Sequence, residues 1–136
     1  MIRIELYGDD FRLHANDFKI YQKKLNSDIM LKLLSVDCKM KFFVDNNMFF
    51  NDWICPLEFY YQLRHWYNKI LDGEFIDFHY NTMESSENPI ISLVFDSNNQ
   101  TWKLDGTFKL YDEKKLFVLK DLGDFYHEFY EQLLKH

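Results

Sequence analysis

The chain has 136 residues but only two cysteines, two prolines, four glycines and a single alanine. With so few glycines, none of them clustered, there is no glycine-rich loop to cradle a nucleotide phosphate. The Gly-x-Ser-x-Gly turn that carries a hydrolase nucleophile is also absent. Cys38 and Cys55 show neither C-x-x-C spacing nor a disulfide pattern, so we expect two buried thiols in a reducing compartment.

The chain also lacks long apolar runs and a basic charge balance. No run approaches the length of a membrane span, and the first seven residues, MIRIELY, lack the basic stretch and apolar segment of a signal peptide. The formal net charge is −6, with a pI near 5.3. Nucleic acid and anionic membranes attract basic faces, so we expect neither as a partner. The cysteine usage and the lack of a signal peptide or membrane span predict a cytoplasmic location.

Aromatic residues are abundant, with 14 Phe, 9 Tyr and 3 Trp. The length and the 47% hydrophobic content predict one folded domain, residues 1–136. Two explanations of the aromatic excess stay open. One is core packing in a chain encoded by an AT-rich genome, and the other is an aromatic binding surface.

Two-residue alternation of apolar side chains predicts a series of strands joined by polar turns. Asn and Asp tolerate the left-handed backbone of a tight turn, so Asp45-Asn46-Asn47 predicts a hairpin. The pattern favours an α+β fold, an antiparallel meander packed by two amphipathic helices. The predicted strands are 2–6, 18–22, 29–36, 38–44, 48–50, 75–80, 90–95, 101–104, 107–110 and 116–119.

Two helices complete the pattern. Pro56 suits a first helical turn and Gly73 a C-terminal cap, which predicts a central helix over 57–71. Its apolar stripe contains Leu57, Phe59, Tyr60, Leu63, Trp66, Tyr67, Ile70 and Leu71. Asp121 or Asp124 is the expected cap of a C-terminal helix, with a buried stripe of Leu122, Phe125, Tyr126, Phe129 and Leu133.

Candidate chemistry is sparse. No two histidines stand three or four residues apart, so no paired metal ligands on a helix are expected, and we expect no metal and no cofactor. Asp77 and His79 share one face of a predicted strand and could form a carboxylate–imidazole unit for proton transfer. Ordinary polar residues on an exposed strand face explain the pair equally well.

The loop after this strand carries Glu84 and Glu87. Paired carboxylates serve general acid–base catalysis where their proton affinities are tuned, which a polar loop ending in Pro89 does not favour. At the rim of a protein interface, charges need no such tuning. We therefore predict no catalytic residues and a partner-binding surface formed by Asp77, Tyr80, Glu84, Glu87 and Asp96.

The segment from His79 to Leu93, followed by Gln100-Thr-Trp-Lys-Leu104 and an amphipathic helix, resembles a family of small acidic proteins of low-GC Gram-positive bacteria. Ser86-Glu87-Asn88-Pro89 and Trp102 fit the family pattern of a Ser-x-Glu-Asn-Pro loop and a Trp-bearing strand. The likeness covers the chain from the Pro56 helix onward. Such proteins look like immunity proteins of polymorphic toxin or contact-dependent inhibition systems.

The resemblance implies a cytoplasmic protein that binds a basic toxin domain, such as a nuclease, and blocks it by occlusion. Two alternatives stay open on the residues alone. The first is a small-molecule-binding domain or enzyme that uses Asp77 and His79. The second is a regulatory or structural subunit whose aromatic face forms a homodimer.

Overall fold

The computed structural model describes residues 1–8, 11, 36–81 and 88–134. These residues form two antiparallel sheets and two helices, so the predicted α+β class is confirmed. The strands divide between a three-stranded and a four-stranded sheet. The predicted strands 18–22 and 29–36 lie outside the described residues, apart from Val36. Neither helix in these ranges is long and apolar enough to cross a membrane.

The two sheets follow each other along the chain, each with neighbouring strands paired in sequence order. The first contains β1 (Ile2–Tyr7), β2 (Cys38–Val44) and β3 (Asn47–Ile54). Helix α1 (Pro56–Leu71) leads to the second sheet. That sheet contains β4 (Phe78–Tyr80), β5 (Ile91–Asp96), β6 (Thr101–Asp105) and β7 (Leu116–Phe117), and helix α2 (Leu119–Leu134) follows it.

Local signals set several element ends as predicted. Asp45 and Asn46 have φ angles of 49° and 69°, the left-handed values that a tight β2–β3 hairpin requires. Gly73 has φ 87°, and its N–H donates to the Ile70 carbonyl at 3.0 Å, which ends α1. The α1 stripe is buried except at its edge, where Tyr67 is half-buried and Leu71 is 66% exposed.

The region from Asp105 to Asp112 differs from the prediction, because no strand forms over 107–110. The Lys109 ammonium binds the Asp105 carboxylate at 2.7 Å and the Asp112 carboxylate at 2.8 Å. Gly106 lies so close to β5 that an added Cβ would stand 2.5 Å from the Ile90 carbonyl oxygen. These contacts hold the segment as a turn.

The predicted strands at both ends of the second sheet are shorter than expected. Residues 75–77 precede β4, which begins at Phe78, and β7 ends at Phe117. Helix α2 then begins at Leu119, so neither Asp121 nor Asp124 is its cap residue. Asp121 instead lies in the first turn and accepts a hydrogen bond from the Val118 N–H at 2.9 Å.

The core is centred on the ring of Phe59 in α1, which has no exposed surface. Its centroid lies 4.6 Å from that of Tyr80 and 5.8 Å from that of Phe78, both in β4. From α2, Phe129 approaches to 4.6 Å and Phe125 to 6.1 Å. One side chain therefore joins both helices to the second sheet.

The first sheet joins this core through Phe42 in β2. The Phe42 ring lies 5.1 Å from Phe125 and 6.0 Å from Phe49 in β3. Both Phe49 and Phe50 are buried, because a register shift between Phe42 and Phe43 breaks the alternation of β3. The aromatic residues in this part of the chain thus form a continuous core between the two sheets.

Replacing Phe59 with alanine should lower the free energy of unfolding by about 3–5 kcal/mol, because the cavity opens where four aromatic side chains meet. Tyr61→Ala is the matched control, since Tyr61 lies two residues away on the same helix and is 40% exposed. Urea unfolding followed by circular dichroism measures both. Equal losses in the two variants would contradict the central position of Phe59.

Both thiols should resist alkylation in the folded protein. Cys38 and Cys55 are buried, as predicted, and burial raises the pKa of the Cys55 thiol to about 11. At pH 8 only about one Cys55 in a thousand is then a thiolate, the reactive form. Iodoacetamide labelling read by mass spectrometry should show two rapid additions in urea and slow addition without it. Rapid labelling of Cys55 in buffer would contradict its burial.

Candidate functional site: a groove between helix α1 and strand β4

A surface groove of about 320 Å³ runs between helix α1 and strand β4, the edge strand of the second sheet. Its volume lies at the lower end of the range for ligand pockets, which suits one or two side chains or a small molecule. The helix and the strand each contribute one wall. The groove is lined by Tyr61, Gln62, His65, Trp66, Lys69, Ile76, Asp77, Phe78 and His79.

Three side chains fix the two walls relative to each other. The Trp66 indole N–H donates to the Ile76 carbonyl at 2.9 Å, and the Trp102 indole N–H in β6 donates to the same oxygen at 3.0 Å. At the other end, the Gln62 amide donates to the Asn81 carbonyl at 3.1 Å. Hydrogen bonds from α1 therefore bracket β4, so the groove is a built feature of the fold.

The predicted Asp77–His79 pair lies in this groove. The Asp77 Oδ2 atom stands 3.7 Å from the His79 Nε2 atom, and the two side chains are 41% and 47% exposed. That separation is longer than a hydrogen bond, whereas a general base and its partner need hydrogen-bond contact. The two side chains therefore lie near each other in an exposed position without a hydrogen bond between them. The described residues also contain no cluster of three or more potential metal ligands.

Asp77 has a structural contact as well. Its Oδ1 atom accepts the Phe95 N–H at 2.7 Å, which connects the approach to β4 with the end of β5. Asp96, the next residue in β5, accepts the Asn98 N–H at 2.9 Å and the Asn99 side-chain amide at 3.0 Å. The structure therefore brings Asp77 and Asp96 to the same end of the β4–β5 hairpin.

Two of the other predicted partner-binding residues, Glu84 and Glu87, lie outside the described residues. Of the four predicted carboxylates, Asp77 and Asp96 are the two whose positions the structure describes.

Tyr80 occupies the core and has no exposed surface. Its hydroxyl accepts the Cys55 N–H at 3.0 Å, and burial raises its pKa above the ordinary value. This position corrects the expectation that Tyr80 is a surface anchor. The alternation along the strand indicates this burial, because Phe78 and Tyr80 share the face of β4 opposite to His79.

Sequence reasoning missed the helical wall of the groove. Tyr61, His65 and Lys69 repeat every four residues on the side of α1 away from the fully buried stripe. That spacing is visible in the sequence, but it does not reveal which strand the helix faces. The strand predicted over 75–80 contains Ile76, but the pattern does not indicate that this side chain is 40% exposed in a groove.

The fold and the groove together define a small α+β domain with a surface cleft. A family model described as "Domain of unknown function (DUF7878)" matches residues 10–136. Because this match spans most of the sequence, the chain belongs to that family. The comparisons gave no match among the curated proteins and none among the solved structures.

The stability of the hairpin should depend on the Asp77 carboxylate. Asp77→Ala should lower the free energy of unfolding by about 1 kcal/mol, because it removes the acceptor of the Phe95 N–H from a partly exposed site. Asp77→Asn keeps an acceptor oxygen and should lose less. His79→Ala is the control and should stay within about 0.5 kcal/mol. If all three unfold like the unmodified protein in urea, the contact contributes nothing to stability.

Proposed function

We propose that this protein is a cytoplasmic immunity protein that binds a basic toxin domain, such as a nuclease, and blocks it by occlusion. The observation that supports this most is the groove beside Asp77, where apolar side chains lie next to a carboxylate. Interfaces commonly combine an apolar centre with a polar rim in this way. The resemblance of the latter half of the chain to immunity proteins favours the same function.

The groove suits a long basic side chain from the partner. Trp66, Ile76 and Phe78 line it with apolar surface against which the methylene groups of an arginine or lysine could pack. The partner's cationic group would then reach the exposed Asp77 carboxylate. Arginine is the better fit, because its planar guanidinium stacks on aromatic rings and binds carboxylates through two hydrogen bonds.

The distribution of charge favours a basic partner. After Val44 the chain has sixteen Asp and Glu against eight Lys and Arg. Asp77 and Asp96 lie at one end of the hairpin, and we propose that Glu84 and Glu87 also contribute to the acidic surface. Such fields raise association rates by roughly tenfold to a thousandfold at low salt. The carboxylates would accelerate encounter, and the groove would slow dissociation.

Small-molecule binding is the second candidate function. The observation in its favour is that Asp77, His79, His65 and Lys69 surround one groove of about 320 Å³. Groups of both charges at its rim suit a small polar ligand. Under this alternative, a ligand that contacts both walls would raise the free energy of unfolding, and binding would require no protein partner.

The first function can be tested by co-expressing the chain with the C-terminal domain encoded by the neighbouring reading frame. We expect growth rescue and a one-to-one complex. The double variant Ile76→Ser with Asp77→Asn should increase the dissociation rate at least about thirtyfold, as expected at an interface hot spot. It keeps the acceptor for the Phe95 N–H, so its stability loss should be small.

Val94→Ser with Asp124→Asn is the matched control, because these side chains are 42% and 46% exposed and neither lies in the groove. This control variant should still rescue growth, and its complex should dissociate as slowly as that of the unmodified protein. Rescue by both double variants with unchanged dissociation would exclude the groove as the interface. No complex at micromolar concentration would contradict the immunity function itself.

A further inference from the structure

The outward side of the first sheet carries a different chemistry from the rest of the chain. The register of β1, β2 and β3 places Ile2, Ile4, Leu6, Cys38, Met40 and Phe42 on the buried side. The alternate residues lie on the other side. The charged and aromatic residues on this outward side include Arg3, Lys39, Lys41, Tyr7, Phe43 and Trp53. We call this side of the first sheet the cationic face.

The cationic face keeps a net positive charge, because Arg3, Lys39 and Lys41 outnumber Glu5, the carboxylate that alternates into it from β1 and whose Oε2 atom lies 3.5 Å from the Arg3 Nε atom. Up to Val44 the chain has eight Lys and Arg against six Asp and Glu, so the surplus of negative charge lies entirely in the later residues. The net charge of −6 averages these two parts. The net charge of the whole chain therefore does not exclude nucleic acid as a ligand of this sheet.

One row across the first sheet alternates aromatic and cationic residues. Tyr7 pairs with Lys39 in β2, and Lys39 pairs with Trp53 in β3, so the three form one row across the sheet. Neighbouring strands are about 4.8 Å apart, so the two aromatic residues are about 10 Å apart along the row, with Lys39 paired between them. Tyr7 is 48% exposed and Trp53 is 61% exposed.

Cation–π contacts hold two of the charges against the sheet. The Arg3 guanidinium lies 4.2 Å from the Phe43 ring centroid, and the Lys41 ammonium lies 5.0 Å from the Tyr7 ring centroid. Both cationic groups therefore already rest on aromatic rings in the structure, a placement that favours binding if it persists. The Trp53 ring remains the most exposed aromatic group of the described chain.

We propose that the cationic face binds single-stranded nucleic acid. Unpaired bases stack on exposed aromatic rings of a sheet, while phosphates bind the cations between them. The Tyr7–Lys39–Trp53 row provides both groups in this order. An acidic peptide would be bound by the cations alone and would gain nothing from the aromatic rings. A duplex presents its phosphates but keeps its bases stacked away from them.

The test is fluorescence anisotropy with a labelled oligouridylate of about ten nucleotides, measured at about 50 mM and 200 mM salt. We expect micromolar affinity in the low-salt buffer. Trp53→Ala should weaken binding about tenfold, and Trp53→Phe should keep most of the affinity because it keeps a stacking ring. Lys39→Gln should reduce the dependence of affinity on salt.

Lys103→Gln is the matched control, because Lys103 is an exposed strand lysine of the other sheet. It should leave affinity and salt dependence unchanged. Equal weakening by Lys103→Gln, or no binding at about 100 μM protein, would overturn the proposal. So would displacement by polyglutamate with no effect of Trp53→Ala, since the face would then bind acidic polypeptides by charge alone.

Discussion

The packing of Phe59 against four aromatic rings is the contact on which most of the structure depends. Helix α1 reaches the second sheet through Phe78 and Tyr80, and it reaches helix α2 through Phe125 and Phe129. Helix α2 also packs against β1, whereas β4, which carries Phe78 and Tyr80, is only three residues long. Large rings compensate for this, because each one buries much apolar area and reaches across an element.

The same core determines where the groove lies. Trp66 stands two helical turns after Phe59, and its ring lies 5.2 Å from Phe78 while its N–H binds the Ile76 carbonyl. That carbonyl accepts two indole N–H groups, so both of its lone pairs are used within the fold. The bottom of the groove is therefore part of the core, and only its upper margin is open to exchange contacts with a ligand.

The sequence predicted the local structure well where one signal was sufficient. The Asp45-Asn46 turn, the Pro56 and Gly73 ends of α1 and the alternation of β1 and β2 all depend on residues close together in the chain. The prediction missed the turn at Lys109, because polar and apolar residues alternate over 107–110 as in a strand. The ion pairs that hold the turn are not evident from that pattern. The groove could not be predicted, since it requires knowing which strand α1 faces.

The position of Asp77 has a consequence for how the groove could diverge among related chains. Asp77 and Trp66 hold backbone groups in place, so their replacement lowers the stability of the fold as well as changing the surface. Among the described residues, no hydrogen bond or ion pair joins the side chains of Tyr61, His65 or Lys69 to the strand wall, and these side chains lie on the outer side of the helix. Selection for a new ligand would therefore act most freely on these three helical positions, whereas the residues of the strand wall would change less.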